Sequence, residues 1–155
     1  MEQAVVKILL LGICGYGSNY IKEISERGIP GIKIEGICEV VPNAADLYPI
    51  IKEQNIPIYQ TPEDFYKEHT ADLAVVSTPI HLHYSQIVTC LTHGSNVLTE
   101  KPVCTSVEGA RKLEQLEKEK GIPVDYMLDR VGQALITAHK RDNDGMTDNV
   151  YVEPD

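Results

Sequence analysis

The sequence predicts an α/β fold, a doubly wound parallel sheet with helices on both faces. Short β-branched runs alternate with amphipathic stretches in five successive units, the pattern of a parallel sheet covered on both sides. The first run, Val5 to Leu11, is nearly all apolar, as a central strand is. A glycine-rich turn joins that run to the first amphipathic stretch.

The elements follow in order. After the Val5 to Leu11 strand, a helix runs from Ser18 to Arg27, with Gly28 at its C-terminal cap. Ile32 to Glu39 is the second strand. Pro42 fits the first turn of a helix reaching about Gln54, and Ile56 to Tyr59 makes a brief third strand, Pro57 being tolerated only near its start. Thr61 caps a short helix over Glu63 to Glu68, with Pro62 at the first helical position and Asp64 as the capping-box acid. Asp72 to Ser77 is the fourth strand, and His81 to His93 a helix stopped by Gly94. Asn96 to Thr99 is the fifth. Ser106 caps a helix to Lys120 that carries Val107, Ala110, Leu113 and Leu116 on one stripe and pairs Glu108 with Lys112 and Glu114 with Lys118, before Gly121 ends it. Ile122 to Met127 reads as a sixth strand and Val131 to Lys140 as a further helix. From Arg141 the chain turns polar, and the last dozen residues are expected to be loosely held.

A chain of 155 residues allows one compact domain with a substantial core. An apolar share of 43% and a charged share of 24% are ordinary for a globular protein. Asp and Glu outnumber Lys and Arg by 23 to 14, and the resulting net charge of -9 would repel a phosphate backbone, which argues against nucleic acid as a partner. The most apolar stretch, Ile8 to Cys14, is far short of the roughly 18 to 20 residues that cross a bilayer, and Met1-Glu2-Gln3 offers no basic leader. A cytoplasmic protein without a membrane partner is the expectation. Cys14, Cys38, Cys90 and Cys104 are widely spaced inside or beside apolar runs, which reads as buried, reduced thiols rather than a metal or disulfide site.

The chemistry begins at the turn Gly12-Ile13-Cys14-Gly15-Tyr16-Gly17-Ser18-Asn19-Tyr20. Glycines there permit a tight bend and bring backbone amides to a pyrophosphate at the helix N-terminus, with Gly15 and Gly17 as the phosphate candidates and Gly12, Tyr16, Ser18 and Asn19 around them. In this register the third fingerprint position, usually glycine or alanine, is Tyr20, whose side chain is expected to point into the helix–sheet interface rather than block the site. A glycine turn that binds nothing is the plain alternative. Glu39 closes the second strand about twenty residues on, where a carboxylate accepts ribose hydroxyls and repels a 2'-phosphate, favouring NAD over NADP. The alternative for Glu39 is a solvated strand-end acid.

Val75-Val76-Ser77-Thr78-Pro79-Ile80-His81-Leu82-His83, followed by Val97-Leu98-Thr99-Glu100-Lys101-Pro102, resembles the Gfo/Idh/MocA oxidoreductase family over about Val5 to Val124. The resemblance implies a Rossmann-type domain binding NAD, with NADP second. It implies that Ser77, Thr78 and Pro79 line the cofactor groove and that Lys101 lies where nicotinamide meets substrate. A lysine ammonium there can hold a substrate hydroxyl and stabilise charge developing on its oxygen. Glu100 and Pro102 would shape its loop. His83 matches the family's histidine position and either faces the nicotinamide side or packs in the interior, while His81 serves the helix start.

The resemblance also implies a C-terminal α/β domain with an open antiparallel sheet that completes the substrate site. On that expectation residues 1–124 are the dinucleotide-binding domain, and residues 125–155 are a crossover helix and polar tail leading toward a domain this chain does not reach. A small-molecule substrate, a sugar, polyol or related hydroxy compound, then binds only when a second domain is supplied, and homo-oligomer formation stays open, since the family commonly associates through that domain. Two other readings stay open: a non-enzymatic NAD(H)-binding or sensing module, and an S-adenosylmethionine-dependent methyltransferase. The Glu100-Lys101-Pro102 motif tells against the latter.

Overall fold

The structure, a computed structural model, describes residues 5–120. Strands Val6–Leu11 (β1), Ile32–Cys38 (β2), Ile58–Tyr59 (β3), Leu73–Val76 (β4) and Asn96–Thr99 (β5) form one sheet in the order β3-β2-β1-β4-β5, parallel throughout. Helices Ser18–Arg27 (α1), Pro49–Glu53 (α2), Pro62–Glu68 (α3), Ile80–Thr92 (α4) and Val107–Lys120 (α5) connect or follow them. The chain divides into two compact units, Met1–Glu114 and Gln115–Asp155, and the whole sheet lies in the first. The sixth strand and the last helix read from the sequence lie outside the described residues.

Alternation along β1 explains why it is central. Ile8 and Leu10 point to one face and join a single cluster with Ile21 of α1 and Ile51 of α2, while Leu9 and Leu11 point to the other and are just as fully buried. Strand β2 does not keep that alternation unbroken. Ile8 pairs with Ile34 but Leu9 pairs with Gly36, so Glu35 is an extra residue and β2 carries a bulge that resets its faces. Beyond the bulge Gly36 lies on the Leu9 face, where α3 packs. A Cβ on Gly36 would stand 2.7 Å from two ring carbons of Phe65, the largest fully buried side chain.

Helix ends follow local chemistry. Thr61 Oγ1 accepts the Asp64 N–H at 3.2 Å, Ser106 Oγ accepts the Gly109 N–H at 3.0 Å, and the Gly28 N–H closes α1 on the Ile24 carbonyl at 3.2 Å. The helix expected from Pro42 to Gln54 is broken in two, a 3-10 turn at Ala44–Asp46 and then α2. The cause is Pro49: it has no N–H to give to a preceding turn and it drives Tyr48 into an extended conformation, φ -136 and ψ 120. The stripe expected on α5 is also corrected. Val107 is 71% exposed, and the buried side of the helix start is Gly109 and Leu113 against Cys104, while Glu108 and Lys112 pair at 2.7 Å as expected. Cys38, Cys90 and Cys104 are buried, and all four cysteines are free, but Cys14 is only half-buried because it sits on an open rim.

Phe65 is where fold stability is most exposed to a single change. Phe65→Ala leaves a ring-sized void above Gly36 and is expected to cost about 3–5 kcal/mol. A urea midpoint that barely moves would show that α3 is not part of the cooperative unit.

Candidate functional site

In an open parallel sheet the strand order reverses where two successive connections leave to opposite sides, and ligands collect in the crevice beyond the strand ends at that point. Here the reversal lies between β1 and β4. A groove of about 720 Å³ opens there, walled by Gly12, Cys14, Gly15 and Tyr16 after β1, Glu39 to Val41 after β2, Gln60 to Glu63 after β3, and Ser77 to Pro79 after β4.

The glycine turn is packed rather than loose. Gly12 has φ +80, which only glycine adopts freely, and a Cβ on it would already touch the Ser77 carbonyl at 3.0 Å. A Cβ on Gly17 would lie 1.9 Å from the Gly12 carbonyl oxygen and 2.5 Å from Ser77 Oγ, so α1 can start this close to β1 only without a side chain. Ser77 fastens the same corner by donating to the Leu11 and Gly12 carbonyls at 3.1 and 2.8 Å. In geometric terms Gly12 makes the bend and Gly17 gives the close helix–strand packing. The spacing G-x-G-x-x-G is therefore filled by Gly12, Cys14 and Gly17, which corrects the register that put its last position at Tyr20. Tyr20 stays out of the groove: it packs on the core cluster and its hydroxyl donates to Glu100. Burial, then that bond, pushes the phenol up to about 12.

Glu39 ties the turn to the loop after β2. Its Oε2 accepts the Ile13 and Cys14 amides at 3.0 and 3.3 Å, and its Oε1 accepts those of Val40 and Val41 at 2.8 and 3.1 Å. A carboxylate has about four acceptor sites, so the backbone alone fills them. Burial works to raise its pKa, but the amides of Ile13, Val41 and Val40 outweigh it and hold the carboxyl below its ordinary 4.5. Ile13 is clamped from its other side as well, since Tyr48, set by Pro49, donates its hydroxyl to the Ile13 carbonyl at 3.0 Å.

On the far wall Thr78 Oγ1 donates to Gln86 Oε1 at 2.5 Å, and Leu82, Ser85 and Gln86 line the groove from one face of α4 at helical spacing. His83 turns inward instead. It is 2% exposed, with Nε2 2.8 Å from the Thr78 carbonyl and Nδ1 3.0 Å from the Pro102 carbonyl, so it joins the two loops from beneath. Of its two sequence readings, packing is the one its position shows. Glu100, Lys101 and Pro102 follow β5, with a cis Lys101–Pro102 peptide, and Lys101 is exposed with no ion pair among the described residues.

The sequence-predicted residues thus fall into two sets. Gly12, Gly15, Tyr16, Glu39, Ser77, Thr78 and Pro79 wall the groove together. Gly17, Ser18, Asn19, Glu100, Lys101 and Pro102 do not line it, standing behind the turn or beyond the β5 end, nor does His83, buried in α4 between the Thr78 and Pro102 carbonyls. Sequence reasoning missed Cys14, the Gln60-Thr61-Pro62-Glu63 rim and the Leu82, Ser85 and Gln86 face. The rim was within reach, because every loop after a parallel strand opens on the same sheet edge.

The depressed Glu39 carboxyl has a pH signature. A folded pKa below the unfolded one gives stability that is present above the unfolded value and is lost as pH falls through the folded value. The urea-midpoint gap between wild type and Glu39→Gln should be widest above the ordinary carboxylate range and narrow as pH falls below it. A gap independent of pH would mean that the amides do not select the charged form.

The chain matches the family described as "Oxidoreductase family, NAD-binding Rossmann fold" over residues 6–127. It is 30% identical over 132 residues to the inositol 2-dehydrogenase of Rhodococcus jostii, covering 79% of this chain and 34% of that protein. It is 27% identical over 89 residues to the scyllo-inositol 2-dehydrogenase (NADP(+)) of Bacillus subtilis, covering 57% of this chain and 25% of that protein. The WlbA dehydrogenase of Bordetella pertussis, solved with NADH and UDP-GlcNAcA, superposes with TM-score 0.67 at 23% identity, over 78% of this chain and 34% of that one. The chain spans about a third of the length of the first two kinds of protein or less. A parallel sheet with its reversal at β1 and β4, a glycine corner and an acid closing β2 are what such a domain requires, and the chain belongs to the Gfo/Idh/MocA oxidoreductase family as an NAD-binding Rossmann domain.

Proposed function

We propose that this domain supplies the cofactor half of an oxidoreductase that moves hydride between a nicotinamide dinucleotide and a sugar, polyol or related hydroxy compound, a second domain closing over the substrate. The observation that carries this reading is the convergence of the glycine corner, Glu39 and the Ser77-Thr78-Pro79 turn on one groove of about 720 Å³ at the sheet's reversal point. The residues fit the group. The turn at Gly12 to Tyr16 is open to the groove for a pyrophosphate, and the Glu39 carboxylate stands on its rim for the adenosine ribose.

Glu39 would take a ribose hydroxyl by releasing one of its four amides, whereas a 2'-phosphate would bring like charge against a carboxylate held ionised. That favours NAD over NADP here, although one relative carries NADP(+) in its name. A bound nicotinamide supplies the hydride-accepting centre. Lys101, exposed just past β5 and fixed by Pro102, is the group this chain offers to a substrate hydroxyl, where its ammonium would hold the oxygen and stabilise charge on it as the proton leaves. Among the described residues Lys101 makes no ion pair. The domain boundary near residue 124 belongs to the same proposal, as does assembly with further copies of the chain, for which Leu98 and Val103 near the β5 edge leave apolar surface exposed.

Four free thiols fit work in the cytoplasm, and among the described residues no helix is long and apolar enough to cross a membrane. A sensing module that binds the dinucleotide without turnover is the second reading. The family match sets the methyltransferase aside.

Calorimetric titration with NAD, NADP and S-adenosylmethionine decides the cofactor. NAD should bind, NADP about tenfold or more weaker, one close charge repulsion being worth that much, and S-adenosylmethionine not at all. Glu39→Ala should narrow the NAD to NADP gap. Equal affinity for NAD and NADP in the wild type, or no binding of either, would overturn the reading.

A further inference from the structure

Three glycines serve a dinucleotide turn in different ways: the first makes the bend, the second leaves room for the backbone to approach the pyrophosphate, and the third lets the helix pack on the strand. Gly12 and Gly17 hold the first and third of these roles by geometry, one through φ +80 and the other through the 1.9 Å approach that a Cβ would make. The position between them at the required spacing is Cys14. Its backbone, φ -92 and ψ 162, is extended and open to any residue, so the bend makes no demand for glycine there. Its side chain walls the groove, half-buried, and faces the Glu39 carboxylate, which also holds the Cys14 amide at 3.3 Å.

We propose that Cys14 sets the dinucleotide affinity of this groove, its side chain standing where the pyrophosphate would otherwise reach the backbone amides. The proposal rests on the NAD-binding reading above. A thiol is small enough to leave binding possible, but it costs the close approach on which one charge-assisted hydrogen bond depends. Affinity at this position should therefore fall as the side chain grows from glycine through alanine and cysteine to valine.

The test is a calorimetric titration of wild type, Cys14→Gly, Cys14→Ala and Cys14→Val with NADH, ADP-ribose and AMP, thermal melts establishing that each variant folds. Cys14→Gly should bind NADH and ADP-ribose about tenfold tighter, the worth of one such bond, with Cys14→Ala between it and wild type and Cys14→Val weaker. AMP, which lacks the second phosphate, should change little. If wild type binds NADH and neither Cys14→Gly nor Cys14→Ala binds it more tightly, the inference is wrong while the cofactor reading stands. An equal gain for AMP would also overturn it, since the obstruction would then not lie at the pyrophosphate. If no variant binds NADH or ADP-ribose, the cofactor reading fails and takes the inference with it.

Discussion

The carbonyl of Gly12 is the point on which the site depends. Gly17 approaches it so closely that no side chain fits between, Ser77 donates to it from the end of β4, and the Gly12 N–H is itself bonded to the Cys38 carbonyl at 2.9 Å. Three strands and the start of α1 therefore meet at one residue. Moving it would open β1 from β4 at the place where the groove begins, so the groove's shape follows from sheet packing rather than from loop preferences.

Glu39 extends the same constraint sideways. The four backbone amides it accepts join the glycine turn to the loop after β2, and they favour its charged form. The acid that a ribose would use is thus already a strut, and a ligand there exchanges one hydrogen bond for another rather than adding a bond to an idle group. The net gain from that contact is smaller than a count of hydrogen bonds suggests. On the proposed reading its larger effect would be selection, because a fixed negative charge would repel a 2'-phosphate.

Much of this was legible in the sequence. The five strands, the start of α1 at Ser18 and the caps at Gly28, Thr61 and Ser106 rest on local chemistry that tertiary contacts reinforce. What was hidden required distances. The bulge at Glu35 leaves the β2 composition unchanged, and only the pairing of Leu9 with Gly36 reveals it. Pro49 was visible but unweighed, and its effect on Tyr48 reaches the site through the Ile13 carbonyl. The register of the glycine turn was ambiguous because four residues, Gly12, Gly15, Gly17 and Cys14, fit overlapping spacings until the clash at Gly17 assigned the packing role.

The residues outside the groove show how the rest of the site is carried. The Thr78 turn belongs to the groove and the Pro102 turn does not, yet His83 lies between their carbonyls, buried, and Tyr20 holds Glu100 from α1. Its two ring nitrogens stand 3.0 and 2.8 Å from the Pro102 and Thr78 carbonyls, so the ring spaces the two loops. Both tethers grip residues next to Lys101 without touching its ammonium. The lysine is thereby fixed at its backbone and free at its tip. On the proposed reading, that arrangement would leave the ammonium available to a substrate hydroxyl.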